Sequence, residues 1–474
     1  MAPNIGSDST LRSRKPPPLT TPSTPLPSKP LSNLSGHEIA IDGSIYDISN
    51  FAHPGGSVVK FFGGNDVSVQ YRMIHASHTD DRHLSKMSLA GRVEGWNSGK
   101  VGDPNCDYVF NTPFEKEVKR EVGRIVPRGA EFATYGFACR AAFYCALLAT
   151  LMYVWASAGS GPMLAVAFGV SQALIGLNVQ HDANHGAIDR SGRWNDFLGF
   201  GADMIGGSKY NWLQQHWTHH AFTNHNELDP DSFSAEPLML FNDYEPNDPR
   251  RRWWHKFQSI YFLPVLSFYW LSMVVNPQLI DLQHAGTADV IMNWRNDYIR
   301  SKRYVGWVLR AVYLAINVLS PFLHHAPATA LYHIWIFSTV ESLMLSTLFS
   351  LSHNFESVDR DPTIATRNSK DGETKTCWAK SQVETSSTYG GHVAGWITGG
   401  LNFQIEHHLF PRMSSAWYPY IAPTVRKVCE KHGVKYSYYP TVFENLVSTF
   451  TYMHRSGNAS HWVREWGEPL SGKD

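Results

Sequence analysis

Residues 135–185 read YGFACRAAFYCALLATLMYVWASAGSGPMLAVAFGVSQALIGLNVQHDANH. Two apolar runs, 135–156 and 162–179, stand on either side of an uncharged SAGSG turn. Each is close to the roughly 20 mostly apolar residues that a helix needs to cross a bilayer. The second run ends on His181 and His185, whose spacing puts both on one face of a helix. The stretch predicts a helical hairpin in a membrane with imidazoles at its mouth.

Three more apolar runs follow, 257–275, 305–323 and 328–351, the last two joined by PFLHHAP. Lys116, Lys119, Arg120, Arg124 and Arg128 precede the first hairpin; Arg300, Lys302 and Arg303 precede the second. The positive-inside rule then puts the ends of both hairpins in the cytosol and their short turns in the lumen. Run 257–275 is an odd fifth. With Pro264 in its middle and several Trp and Tyr around it, it reads as an interfacial or re-entrant helix. The expected fold is a multi-pass α-helical membrane protein, about four transmembrane helices plus one interfacial helix and a cytosolic helical cap.

Composition agrees. Charged residues are 17% of the chain, against about 25% in soluble domains. Mean hydropathy is still −0.27, so sizeable polar segments must alternate with the spans. Residues 1–34 are Pro, Ser and Thr rich and read as a disordered tail. A compact stretch, 35–98, a charged linker, 99–134, the membrane domain, 135–440, and a cytosolic C-terminal tail, 441–474, complete the expected organisation. Zero net charge gives no reason to expect nucleic acid as a partner. Cys106, Cys139, Cys145, Cys377 and Cys429 show no paired spacing, which argues against a disulfide framework or a cysteine zinc site. The N-terminus lacks the pattern of a cleaved signal peptide.

Histidine is abundant, at 23 residues, and three clusters stand out. They are His181-Asp-Ala-Asn-His185, His216-Trp-Thr-His219-His220 and Gln404-Ile-Glu-His407-His408. Helical neighbours at i, i+3 and i+4 share a face, and an even number of expected crossings separates each pair of clusters. All three can converge on the cytosolic side. Imidazole suits iron, copper and zinc. So many histidines exceed the needs of one ion, and two metals are implied. A separate pair lies in the compact stretch: His53 in HPGG, and His75 22 residues later. HPGG alone is a turn, but two imidazoles on opposing loops can fill both axial positions of a haem iron and leave it electron transfer only. A neighbouring electron-transfer haem favours a redox metal, iron, in the clusters.

The segment DGSIYDISNFAHPGGSVVKFFGGND and the histidine after it resemble the cytochrome b5 domain. That resemblance implies a small α+β domain holding haem b through His53 and His75, with His78 as the alternative second ligand. The boxes HxxxH, HxxHH and QxxHH, in that order, resemble the membrane fatty-acid desaturases, and specifically the front-end acyl desaturases with a fused N-terminal cytochrome b5 domain. The resemblance implies a site of two non-haem irons, O2 as co-substrate, and a cis double bond introduced into an acyl chain. It implies His353 as a further ligand; Gln404, a poorer iron donor than imidazole, is expected near the site through water, and His225 is expected to support the ligands or to be structural. Asp182, Asp229, Asp231 and Glu406 are candidates to orient the ligand imidazoles. The partners it implies are NADH-cytochrome b5 reductase, the lipid bilayer, and a polyunsaturated acyl chain on phospholipid or CoA, in the endoplasmic reticulum membrane. NVQHDANHGA, QHWTHHAFTNH and NFQIEHHLFPRMSSAWYPYIAP look most like the microalgal Δ5 enzymes acting on 20-carbon chains. Rival expectations are a Δ6 acyl desaturase, a sphingoid-base Δ8 desaturase, an acyl hydroxylase, and a membrane-anchored haem electron carrier.

Overall fold

The N-terminal sheet starts from a two-residue hairpin. β2 (Glu38–Ile41) and β3 (Ser44–Asp47) pair antiparallel across Asp42–Gly43, and both turn residues have positive φ, 47° and 73°. That backbone matches the strand twist and suits an Asp-Gly pair. β4 (Ser88–Val93) adds to β3, and β1 (Ser28–Lys29) adds to β4, giving the order β1-β4-β3-β2. The computed structural model describes residues 26–53, 56–75, 83–96, 108–226, 228–282, 296–358 and 376–459. His78 and Cys106 lie outside the described residues. β1 falls within the expected disordered tail and corrects its boundary. The open edge of β4 recruits it through backbone bonds, Arg92 N–H to Pro27 O and Glu94 N–H to Lys29 O at 2.9 Å each, which side-chain composition does not foretell.

α1 (Ser68–Ile74) closes the small domain, burying Val69, Tyr71 and Met73. The domain is docked on the rest of the chain. Phe61 stacks on Tyr210 at 5.4 Å, and Asn296 Nδ2 donates to the carbonyls of Phe61 and Gly63 at 3.2 and 3.1 Å. The charged linker forms α2 (Pro113–Ile125), started by Thr112, which accepts from Glu115 N–H, and by Pro113. Phe114, Val118 and Val122 lie on its buried face.

Four helices are long and apolar enough to cross a membrane: Tyr135–Ser157, Pro162–Asn184, Tyr304–Leu323 and Pro327–His353. The first is α3. α4 (Pro162–Leu174) runs through a π turn, Ile175–Gln180, into a last helical turn, His181–Asn184. α5 (Lys209–Ala221) follows, capped by Ser208. The odd fifth run is two helices, α6 (Gln258–Leu266) and α7 (Tyr269–Leu282), bent at 65°. α8 (Asp297–Leu314) enters the third span and α9 (Pro327–His353) is the fourth. α9 lies against α4 so closely that a Cβ added at Gly169 would stand 2.5 Å from Phe337 O. Phe143, Val166, Leu319, Leu331 and Trp335 are exposed on these helices, as lipid-facing side chains are.

A cap of shorter elements covers one end: α10 (Trp378–Glu384), α11 (Gly391–Thr398), α12 (Gln404–Leu409) and α13 (Tyr418–His432). β5 (Ser387–Tyr389) pairs parallel with β6 (Ser437–Tyr439). The segment set apart as a C-terminal tail carries α14 (Val442–Asn458), opened by a Thr441–Glu444 capping box. Its Tyr452 and Met453 are fully buried in a cluster with Phe262 of α6, so it belongs to the packed body.

Candidate metal centre and the cavities beside it

The three histidine clusters meet. The last turn of α4 delivers His181 and His185, α5 delivers His216, His219 and His220, and α12 delivers Gln404, His407 and His408. His353 is the last residue of α9. All eight imidazoles are buried. They sort into two groups: nitrogens of His181, His185, His216 and His407 lie within 4.8 Å of one another, and so do those of His219, His353 and His408. His220 stands between the groups, its Nε2 3.2 Å from that of His216 and its ring stacked on His408 at 4.1 Å. Gln404, expected at one remove, touches the second group directly, with Nε2 3.0 Å from His353 Nε2 and 3.1 Å from His408 Nε2.

Burial holds His185, His216, His220, His407 and His408 well below the ordinary histidine range, and the neighbouring imidazoles push the same way. They are neutral, with a lone pair to give. Which nitrogen carries it is set from behind. His219 Nδ1 lies 3.0 Å from both Asp229 carboxylate oxygens, His353 Nδ1 lies 3.0 Å from Thr385 O, and His408 Nδ1 lies 2.9 Å from Gln382 Oε1. Tyr418 donates its hydroxyl to Met413 O at 2.8 Å, so its oxygen accepts from His407 Nδ1 at 3.0 Å. In each case Nδ1–H is spent on an acceptor and Nε2 keeps its lone pair.

The remaining acids divide. Burial alone would raise the Asp229 carboxyl, but His219 and the N–H groups of Asn224 and Asp231 bring it below its usual value. Asp231 Oδ2 stands 3.6 Å from His219 Nδ1, and Asp182 Oδ1 stands 3.7 Å from His181 Nδ1. Asp182 also anchors Ser414 and Ser415 through Oδ2. Glu406 orients no histidine among the described residues: it accepts from Thr388 and Tyr436 at 2.9 and 2.7 Å. His225 is buried beside Phe222 and enters neither group.

The donor set fits a pair of transition-metal ions. Nε2 of His181, His185 and His407 finds no hydrogen-bond partner among the described residues. Buried polar atoms are nearly always satisfied, so bare lone pairs packed this tightly mark a place built for cations. Beside them lies a cavity of about 540 Å³. His216, His219, His353 and Gln404 share its wall with Phe268, Tyr269, Met273, Leu345 and Phe349. Phe268, at the break between α6 and α7, is also exposed at the surface.

His53 and His75 face one another with ring centroids 6.2 Å apart. Two imidazoles reaching one metal from opposite sides, about 2 Å to each nitrogen, stand about this far apart. His75 Nδ1 donates to Tyr71 O at 2.8 Å and leaves Nε2 as the lone-pair nitrogen. Burial brings both imidazoles down to about 4. They line a second cavity, about 410 Å³, with apolar Val58, Phe62 and Ile74, and this fits a haem. His83, which sequence reading passed over, lies 5.2 Å from the His75 ring. His185 of the first metal group is on the far wall of this same cavity.

Residues 133–440 match the family described as fatty acid desaturase, and residues 37–94 match the cytochrome b5-like heme/steroid binding domain. The chain is 32% identical over 427 residues to an acyl-lipid (7-3)-desaturase of Diacronema lutheri, covering 88% of this chain and 89% of that one. It is 27% identical over 448 residues to a probable Delta(5) fatty acid desaturase C of Dictyostelium discoideum, with 91% and 94% covered. To an acyl-lipid (8-3)-desaturase of Physcomitrium patens it is 26% identical over 461 residues, with 90% and 91% covered.

Proposed function

Because the chain belongs to the fatty acid desaturase family and carries a cytochrome b5 domain ahead of it, we propose that it is a front-end Δ5 desaturase of 20-carbon polyunsaturated acyl chains. The observation that carries the reaction class is the pair of tightly packed, buried histidine groups beside a largely apolar-walled cavity. His181, His185, His216 and His407 would hold one iron, with His220 beside them. His219, His353 and His408 would hold the other, with Gln404 against it. Two irons bound there supply the O2 chemistry needed to break unactivated C–H bonds, for which carboxylates and imidazoles alone have no means. Asp229, Tyr418, Gln382 and Thr385 keep four of the imidazoles in the metal-binding tautomer. The cavity would hold the acyl chain so that one methylene pair lies beside the histidines.

His53 and His75 would be the haem ligands, a haem held there would supply electron transfer, and His185 lines the same cavity. In this reading, the haem domain runs from β1 to about residue 98, 99–134 is the linker, and the membrane domain runs from 135 through α14. NADH-cytochrome b5 reductase is the electron donor, phospholipid or CoA carries the acyl chain, and the protein sits in the endoplasmic reticulum membrane with both redox sites facing the cytosol. Support for Δ5 comes from the Delta(5) relatives; the higher identity to the (7-3) enzymes favours their regiochemistry as a second reading.

The test is product analysis in yeast expressing the chain and fed defined polyunsaturated fatty acids one at a time. A new Δ5 bond in 20-carbon chains, located by mass spectrometry, is the expected result. A double bond at any other position overturns the regiochemistry and keeps the reaction class. Hydroxylated product, or no change in any fed chain while haem and iron are both bound, overturns the class.

A further inference from the structure

The cavity beside His53 and His75 has two unlike walls. The haem-domain wall is largely apolar apart from its imidazoles, whereas the membrane-domain wall carries Lys209, Lys302 and Arg412. Lys209 is engaged, its Nζ 2.7 Å from Asp196 O and 3.4 Å from Asp196 Oδ1. Lys302 lies over the Tyr298 ring at 5.4 Å. Arg412 makes no hydrogen bond and no ion pair among the described residues. It is half-buried, and it lines the cavity. Its guanidinium rests against the turn just past His185: a Cβ added at Gly186 would stand 3.6 Å from Arg412 Nε. Its charge acts on both His53 and His75, so it faces the space between the two domains.

A half-buried guanidinium with no hydrogen-bond acceptor among the described residues, its charge offset only at a distance by Glu131, is costly to desolvate, and its planar fork is matched to a carboxylate. Haem carries two propionate carboxylates on one edge and is otherwise apolar at its rim. We propose that Arg412 is a haem-binding residue lent by the membrane domain, pairing with a propionate of the haem that His53 and His75 hold. The haem site would then be completed only by docking of the two domains, and the same bond would fix the haem edge beside His185. This rests on the reading of His53 and His75 as haem ligands.

The test uses the full-length chain made in haem-starved cells and loaded afterwards with haem or with haem dimethyl ester, whose carboxylates are blocked. The unmodified chain is expected to hold haem about tenfold more tightly than the ester, the scale of one charged hydrogen bond. Arg412→Gln is expected to erase that preference and Arg412→Lys to keep most of it. The midpoint potential is a second readout. Removing the cation favours ferric haem, and a tenfold change in the ferric-to-ferrous ratio is about 59 mV lower for one electron. Equal retention of haem and ester by the unmodified chain, or a potential unchanged in Arg412→Gln, overturns the proposal. A His53→Ala chain that keeps its haem spectrum overturns instead the ligand assignment beneath it.

Discussion

Asp229 shows how much of this site is decided one shell behind the histidines. Its two oxygens take His219 Nδ1–H while the backbone N–H groups of Asn224 and Asp231 hold the carboxylate still, at 2.7 and 2.9 Å. Asp229→Asn removes the charge and lets the amide present a donor to Nδ1, which favours the other tautomer. Loss of such a partner typically costs 10–100-fold in metal affinity or activity. Asp229→Asn is expected to show a loss of about that size in bound iron and in product, with an unchanged haem spectrum. Full iron occupancy in the variant would falsify this role. The histidines themselves give a cleaner separation: His408→Ala should abolish product and spare the haem, and His53→Ala should remove the haem and spare the iron. Appreciable product from His408→Ala sinks the two-iron reading. The histidines were legible because i, i+3 and i+4 spacing is local to the chain. Of their acceptors, Asp229 stood among the candidate acids, and the other three were not legible. Gln382 and Thr385 come from a segment with no motif of its own, Tyr418 carries no mark of its role within the stretch around the third box, and only the fold brings the three behind His408, His353 and His407.

At the scale of elements, two contacts carry measurable predictions. Glu117 ties α2 to α13 through Lys431 Nζ at 2.6 Å and His432 Nε2 at 2.7 Å, and these two bonds bring its carboxyl down to about 2. An unfolded Glu titrates near 4.5, so the contribution to stability is whole above that pH and is lost as pH falls from 4.5 towards 2. Glu117→Gln is expected to flatten the acid limb of the thermal midpoint over that window in detergent; an unaltered limb counts against the clamp. Gly169 is the second. Any side chain there drives α4 away from the Phe337 carbonyl, and overpacking of this kind costs about 1–3 kcal/mol. Gly169→Val should therefore lower the thermal midpoint, and an unchanged midpoint means that the helices are not so close. Span lengths were readable from apolar run lengths, since bilayer thickness fixes them. The break between α6 and α7 was foreshadowed by Pro264, although the chain bends one turn later, at Ser267–Phe268. The π turn at Ile175–Gln180, which sets the phase of His181 and His185, has no compositional mark and went unread.

Taken whole, the molecule sets two cavities on either side of one cluster of histidines, and neither was visible in the sequence because each is walled by distant segments. The larger is bounded by α5, α6, α7, α9 and the 229–241 loop, so part of its capacity is set by α6 and α7, which contribute no metal-binding side chain. If the acyl chain lies there, a bulky residue on a wall away from the histidines should limit chain length without disturbing the irons. Met273, one turn beyond Tyr269 on α7, lines the cavity, is half-buried and belongs to neither histidine group. Met273→Trp fills part of the space with a rigid indole. The expected outcome is a fall in conversion of 20-carbon substrates by about tenfold, the scale of a few lost methylene contacts in an apolar pocket, with 18-carbon chains less affected and iron and haem contents unchanged. The comparison is made in the same yeast, with the two chain lengths supplied together so that expression cancels. A uniform loss across lengths would point to misfolding or a blocked entrance, and iron content tells those two apart. Undiminished conversion of the longer chain would remove this cavity as the acyl channel, and leave the two histidine groups to be reached by another path.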